Sequence, residues 1–120
     1  MITTVTFEQA KLLKEKGFDE PCRFVHDNFD NIEDWVDIDG TMHKNSDKNA
    51  SVYYSAPTIA EIICWLYEKH NIWIWVEKYE VDTTFIPQIP KANLQKVLGY
   101  YNSPTEAYSK AIEYTLTNLI

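Results

Sequence analysis

The sequence predicts an α+β fold: a single two-layer domain, mainly antiparallel sheet, with about three helices packed on one face. Three observations lead there. Apolar residues recur at helical spacing behind N-cap signals in three places, short β-prone runs lie between them, and the order helix, strands, helix, strands, helix lacks the regular alternation of a parallel βαβ sheet. The 120 residues suit one domain over 1–120. With 45% hydrophobic and 14% aromatic residues the chain can bury a core without disulfide staples.

Taken in order, Thr6 and Gln9 form a capping box ahead of Phe7, Ala10 and Leu13, which predicts a helix over about 7–16. Gly17 supplies its left-handed stop, and Phe18 can fold back on Leu13. Cys22-Arg23-Phe24-Val25-His26 reads as a strand after Pro21. Trp35-Val36-Asp37-Ile38 alternates like a strand, and Asp39-Gly40 signals a hairpin that would bring Thr41-Met42-His43 back beside it. Ser51-Val52-Tyr53-Tyr54 predicts a further strand. Thr58 and Glu61 make a second capping box, with Ile59, Ile62, Ile63, Leu66 and Tyr67 as the core face of a helix that Asn71 stops. Ile72 to Tyr79 predicts a strand. Pro87 and Pro90 confine the extended run Thr83-Thr84-Phe85-Ile86 to an edge or a loop, and residues 94–98 fit strand or helix equally. Ser103-Pro104-Thr105-Glu106 combines an N-cap, proline at the first helical position and the box glutamate. The helix it opens carries Ala107, Tyr108, Ala111, Ile112, Thr115, Leu116 and Leu119 on its core face.

Charge excludes one class of partner. Eleven Lys and Arg oppose 18 Asp and Glu, a formal net charge of -7, the wrong sign for binding nucleic-acid phosphates directly. The imbalance concentrates in an acidic segment, about 27–48, where Asp27, Asp30, Glu33, Asp34, Asp37, Asp39 and Asp47 face only Lys44 and Lys48. No basic start followed by an apolar run opens the sequence, and no apolar stretch is long enough to cross a membrane, so the expectation is a soluble cytoplasmic protein with Cys22 and Cys64 as reduced thiols. In that setting the sequon Asn49-Ala50-Ser51 carries no meaning.

Chemistry has few footholds. Asp37-Ile38-Asp39-Gly40 copies the middle of an EF-hand loop, but with Gly40 at the sixth position Trp35 takes the first and Ser46 the twelfth, where carboxylates are required. Cys22, His26, His43, Cys64 and His70 are potential metal ligands, yet only one close-spaced pair, Cys22 with His26, exists where zinc motifs use two. The expectation is no metal and no cofactor, with both cysteines in or near the core and the histidines at surfaces or element ends. A nucleophilic thiol is disfavoured at Cys64, which lies mid-helix, and at Cys22, which sits among Asp19, Glu20 and Asp27. No catalytic residue is assigned, and the reading leans away from an enzyme.

The run Ile72-Trp73-Ile74-Trp75-Val76 fits a plain core least well. Alternation sends Ile72, Ile74 and Val76 to one face and Trp73, Trp75 and Tyr79 to the other, which helices on one side of a sheet leave open. Tryptophan and tyrosine dominate binding hot spots. Trp73, Trp75 and Tyr79 are therefore the candidate interaction surface, unless another segment of the chain folds over them.

Three stretches resemble one family: Val5-Thr6-Phe7-Glu8-Gln9-Ala10-Lys11-Leu12-Leu13-Lys14-Glu15-Lys16-Gly17-Phe18, then Ala56-Pro57-Thr58 with Trp65-Leu66-Tyr67-Glu68-Lys69-His70-Asn71-Ile72, and Ser103-Pro104-Thr105-Glu106-Ala107. They are similar to small uncharacterised proteins encoded by phages and prophages of gut Bacteroides-type bacteria. The acidic segment and residues 80–100 fall outside the likeness. It implies a setting, a phage-derived accessory protein in the bacterial cytoplasm, and no mechanism. The leading expectation is a non-enzymatic accessory protein acting by protein–protein interaction, through an unknown protein partner or a homodimer. A small hydrolase or metal-dependent enzyme using the acidic segment, and an acidic inhibitor that mimics DNA, are the alternatives.

Overall fold

The computed structural model describes residues 3–35, 40–47, 53–78, 84–89 and 99–120. These residues form three helices and two small antiparallel sheets, an α+β architecture as the patterning predicts. The chain divides into two compact units, Met1–Thr58 and Ile59–Ile120, and each unit carries one of the sheets.

In the first unit α1 spans Phe7–Glu15. Thr6 caps it, the threonine hydroxyl accepting from Gln9 N–H at 3.2 Å while Gln9 Oε1 accepts from Thr6 N–H at 3.0 Å, so two otherwise orphaned donors are satisfied by one pair of side chains. At the other end Gly17 adopts φ +86° and the Phe18 amide donates to the Leu13 carbonyl at 2.9 Å. That geometry needs a residue free of the Cβ penalty, hence glycine. Ala10, Leu13 and Phe18 turn into the core, each large side chain worth about 1.5–3 kcal/mol of burial.

The sheet beneath orders its strands β2-β1-β3, with β1 at Phe24–His26, β2 at Ile32–Asp34 and β3 at Tyr54–Ser55, all antiparallel. β1 is shorter than the predicted 22–26: Cys22 leaves the ladder after the bend at Arg23 and exchanges both backbone hydrogen bonds with His43 instead, at 2.8 and 3.0 Å. His43 thus returns beside Cys22. The strand Ile32–Asp34 is not predicted by alternation, because all three of its residues are exposed and neither face carries an apolar code. It forms because Asp27 builds the turn before it. Asp27 Oδ1 accepts the amides of Phe29 and Asn31, and these bonds, that from Asn31 foremost, hold its carboxyl below the ordinary 3.8. Residues 36–39, 48–52, 79–83 and 90–98 lie outside the described residues, and with them most of the expected strand at 35–38, the start of that at 51–54, and the 94–98 stretch.

In the second unit α2 spans Ile59–His70 and α3 Pro104–Asn118. The two helices touch each other, and α3 also lies against a two-stranded sheet of β4, Trp75–Lys78, and β5, Phe85–Gln88. Ser103 Oγ accepts the Glu106 amide at 3.1 Å with Pro104 at the first position, the expected start of α3. Ala107, Ala111, Ile112, Thr115 and Leu116 are buried as predicted, while Tyr108 and Leu119 are only half-buried. Thr115 satisfies its hydroxyl by donating to the Ala111 carbonyl at 2.8 Å.

On α2 the buried face is Ile62, Trp65 and Leu66. Two assignments are corrected here: Tyr67 is exposed, and Trp65 takes the core. Asn71 ends the helix at φ +55°, and the Ile72 amide donates back to the Leu66 carbonyl at 3.1 Å. With that amide committed to the helix end, pairing starts only at Trp75, opposite Gln88, and not at Ile72. Pro87 sits opposite Val76 in β5, tolerated because a two-stranded sheet has only edges.

Candidate interaction surface

The alternation read from residues 72–76 holds over Ile72, Trp73 and Ile74 and fades at Trp75 and Val76, which are buried to a similar degree. Ile72 and Ile74 are buried and Val76 is half-buried, while Trp73 between the two isoleucines is 46% exposed. Trp75 is half-buried, its indole Nε1 donating to Glu77 Oε1 at 3.4 Å on the same face of the strand. Tyr79 lies outside the described residues.

A residue that periodicity places in the core completes the surface. Tyr67, 53% exposed, meets Trp73 edge-to-face, with ring centroids 5.4 Å apart and planes at 81°. The turn at Asn71 makes the pairing, since it reverses the chain so that the strand-side indole comes back over the last turn of α2. Such a T-shaped pair fixes both rings at low entropic cost while leaving an apolar face in water. The signal that could have found Tyr67 was its position one residue after Leu66. A helix with Ile62, Trp65 and Leu66 inside has no room on that face for position 67 as well. Cys64 also lies on the exposed side of α2, a correction to its expected place in or near the core. With Ile62, Trp65 and Leu66 turned inward, position 64 faces away from them.

One histidine is corrected too. His43, expected at a surface or an element end, is fully buried in the first unit, whereas His26 ends β1, though buried, and His70 sits half-buried at the end of α2. His26 Nε2 lies 2.9 Å from the Val5 carbonyl. A carbonyl oxygen only accepts, so Nε2 carries the hydrogen, and Nδ1 faces Asp30 Oδ1 at 3.5 Å. His43 is fully buried. Its Nδ1 shares a 2.7 Å hydrogen bond with Ser55 Oγ, Trp35 packs edge-on against its ring at 5.3 Å, and Nε2 has no hydrogen-bond partner among the described residues. Burial holds its pKa below the ordinary 6.5, Asp47 and Asp19 pulling upward and Lys14 pulling down with the burial.

A serine on a histidine invites a nucleophilic reading, but Ser55 and His43 both have no exposed surface, and no substrate reaches them. Cys22, His43 and His26 share the first unit, yet among the described residues no three His, Cys, Asp or Glu side chains gather closely enough to hold a metal ion. The Asp37-Ile38-Asp39 part of the EF-hand-like run lies outside the described residues. A shallow hollow of about 380 Å³ beside Lys14, Phe18, Asp19, Asn45 and Ser46 presents groups already engaged: Asp19 accepts the Ser46 amide at 2.8 Å, and Asn45 bridges the Phe18 carbonyl and the Ser55 amide, each at 2.9 Å. Among the described residues no helix is long and apolar enough to cross a membrane. No protein-family model, curated protein or solved structure matches this chain.

Proposed function

We propose that this chain is a non-enzymatic accessory protein that acts by protein–protein interaction, with Trp73 and Tyr67 at the centre of the contact and Trp75 at its border. One observation carries the reading: an indole left 46% exposed between two buried isoleucines and braced edge-on by an exposed tyrosine. Large aromatics held rigid at a surface lose little entropy when a partner covers them, which is why such residues anchor interfaces. The likeness of three stretches to phage- and prophage-encoded proteins supplies the setting, a cytoplasmic factor that contacts a host or phage protein or a second copy of itself.

Light scattering over a concentration series tests the self-association arm, and capture from the bacterial host's lysate tests the heterologous arm. In whichever assay the wild-type chain associates, Trp73→Ala is expected to weaken that association by about 2 kcal/mol or more with an unaltered denaturant melt. Identical masses and identical captured proteins for wild type and Trp73→Ala overturn the proposal.

A further inference from the structure

We propose that His43 is an acid-opened clasp: protonation of its ring releases His43 and the residues just before it from Cys22 and Ser55 and uncovers the Cys22 thiol. The proposal stands on the geometry of the first unit and is independent of the aromatic surface on the second.

His43 closes over Cys22 by two backbone hydrogen bonds and over β3 by the Ser55 contact, and all three residues are buried, Cys22 with 1% of its surface exposed. A neutral imidazole can sit there; an imidazolium needs two acceptors or water. Ser55 Oγ can serve one nitrogen, but Nε2 has no acceptor among the described residues, and an uncompensated buried charge costs several kcal/mol. The ionisable groups that bear on the ring are Asp47 from its own segment, Asp19 from the loop after α1, and Lys14 from α1; across the bridge lies the Cys22 thiol. Asp47 and Asp19 are committed elsewhere, to the amides of Lys44 and Ser46, and are solvent-exposed. A charged ring therefore reaches water more readily than it draws a carboxylate inward.

The exit has a natural hinge. Asn45 and Ser46 stay tied to Phe18, Ser55 and Asp19 by hydrogen bonds that involve no buried charge. Lys44 is tied to Asp47 in both directions, its amide donating to Oδ2 and its carbonyl accepting the Asp47 amide, each at 3.0 Å, so the hinge falls at Lys44, and His43 before it is held by the bridge to Cys22 and by its ring. The sign follows from linkage: the opened state binds a proton that the closed state refuses, so opening is favoured as pH falls below the ordinary value of 6.5.

The two cysteines make the test internal. Cys64 is exposed and Cys22 buried, so the intact protein is treated with 4,4′-dithiodipyridine, which reports thiols at acidic as well as neutral pH, and each site is followed by peptide mass spectrometry. The ratio of the Cys22 rate to the Cys64 rate is expected to rise between about pH 7.5 and about pH 5, by up to roughly 30-fold if the closed state takes up no proton. His43→Asn, which keeps a polar atom near Ser55 and does not titrate, is expected to flatten the ratio, while His26→Asn keeps the rise. A pH-independent ratio in the wild type, or a rise that survives His43→Asn, overturns the clasp. Should His43→Asn fail to fold, imidazole ¹⁵N spectra of the wild type decide: a neutral His43 throughout the range where Cys22 is protected supports the proposal, and a charged His43 with Cys22 still protected overturns it.

Discussion

The two units fill largely apolar interiors with different shares of polar side chains. The first puts polar side chains inside, Gln9, His26, His43 and Ser55, and connects them to backbone or to one another. The second builds its interior from Ile62, Leu66, Ile74, Ile112 and Leu116, with polar exceptions such as Thr115, and turns Tyr67 and Trp73 outward. An apolar interior is indifferent to pH and sensitive to volume; a polar interior is sensitive to the loss of any one partner and to protons. The unit with fewer buried polar side chains is also the one with an exposed, edge-to-face aromatic pair.

Volume should matter most in the second unit. Leu66→Ala, at a residue with no exposed surface, is expected to lower unfolding stability by about 2–5 kcal/mol through the cavity it leaves, read as a shift in denaturant midpoint at constant slope. In the first unit the matching experiment removes a partner and little volume. Ser55→Ala strands His43 Nδ1 and should cost about 1–3 kcal/mol, and an unchanged denaturant midpoint would show that the hydrogen bond contributes little.

Acidification separates the units further. His43 has a folded pKa below its ordinary 6.5, so the unfolded chain binds more protons than the folded one beneath that value, and stability is lost as pH falls. The slope from one such group is at most about 1.4 kcal/mol per pH unit. Amide exchange should accelerate around residues 22 and 43 before it does in α3; uniform acceleration would erase the distinction. Helix caps offer a smaller effect shared by both units. Thr6→Ala and Ser103→Ala each remove an acceptor from a first-turn amide and should cost about 0.5–2 kcal/mol, with Thr6 the larger because its box is reciprocal. The smallest effect on folding belongs to Trp73→Ala, expected within about 0.5 kcal/mol of wild type as for an exposed position. A loss of several kcal/mol would mean that Trp73 packs as core and would remove the basis for the proposed surface.

What could be read from the chain without coordinates is what neighbours in sequence decide. Thr6 with Gln9, Gly17 with Phe18, and Ser103 with Pro104 act within a turn or two of helix, so their capping and stop roles follow from spacing alone. The inside-outside alternation of Ile72, Trp73 and Ile74 is likewise local, because extended backbone points successive side chains to opposite sides. The burial of His43 is different in kind. It depends on Cys22 and on Ser55, 12 residues away along the chain, and nothing in the residues beside His43 marks it as interior. Tyr67 and Trp65 exchange their expected roles for the same reason. Beside Ile62 and Leu66 the buried arc of α2 has room for Trp65 or for Tyr67 but not for both, and the choice between them is made by the surfaces packed against that helix, which only the tertiary structure supplies.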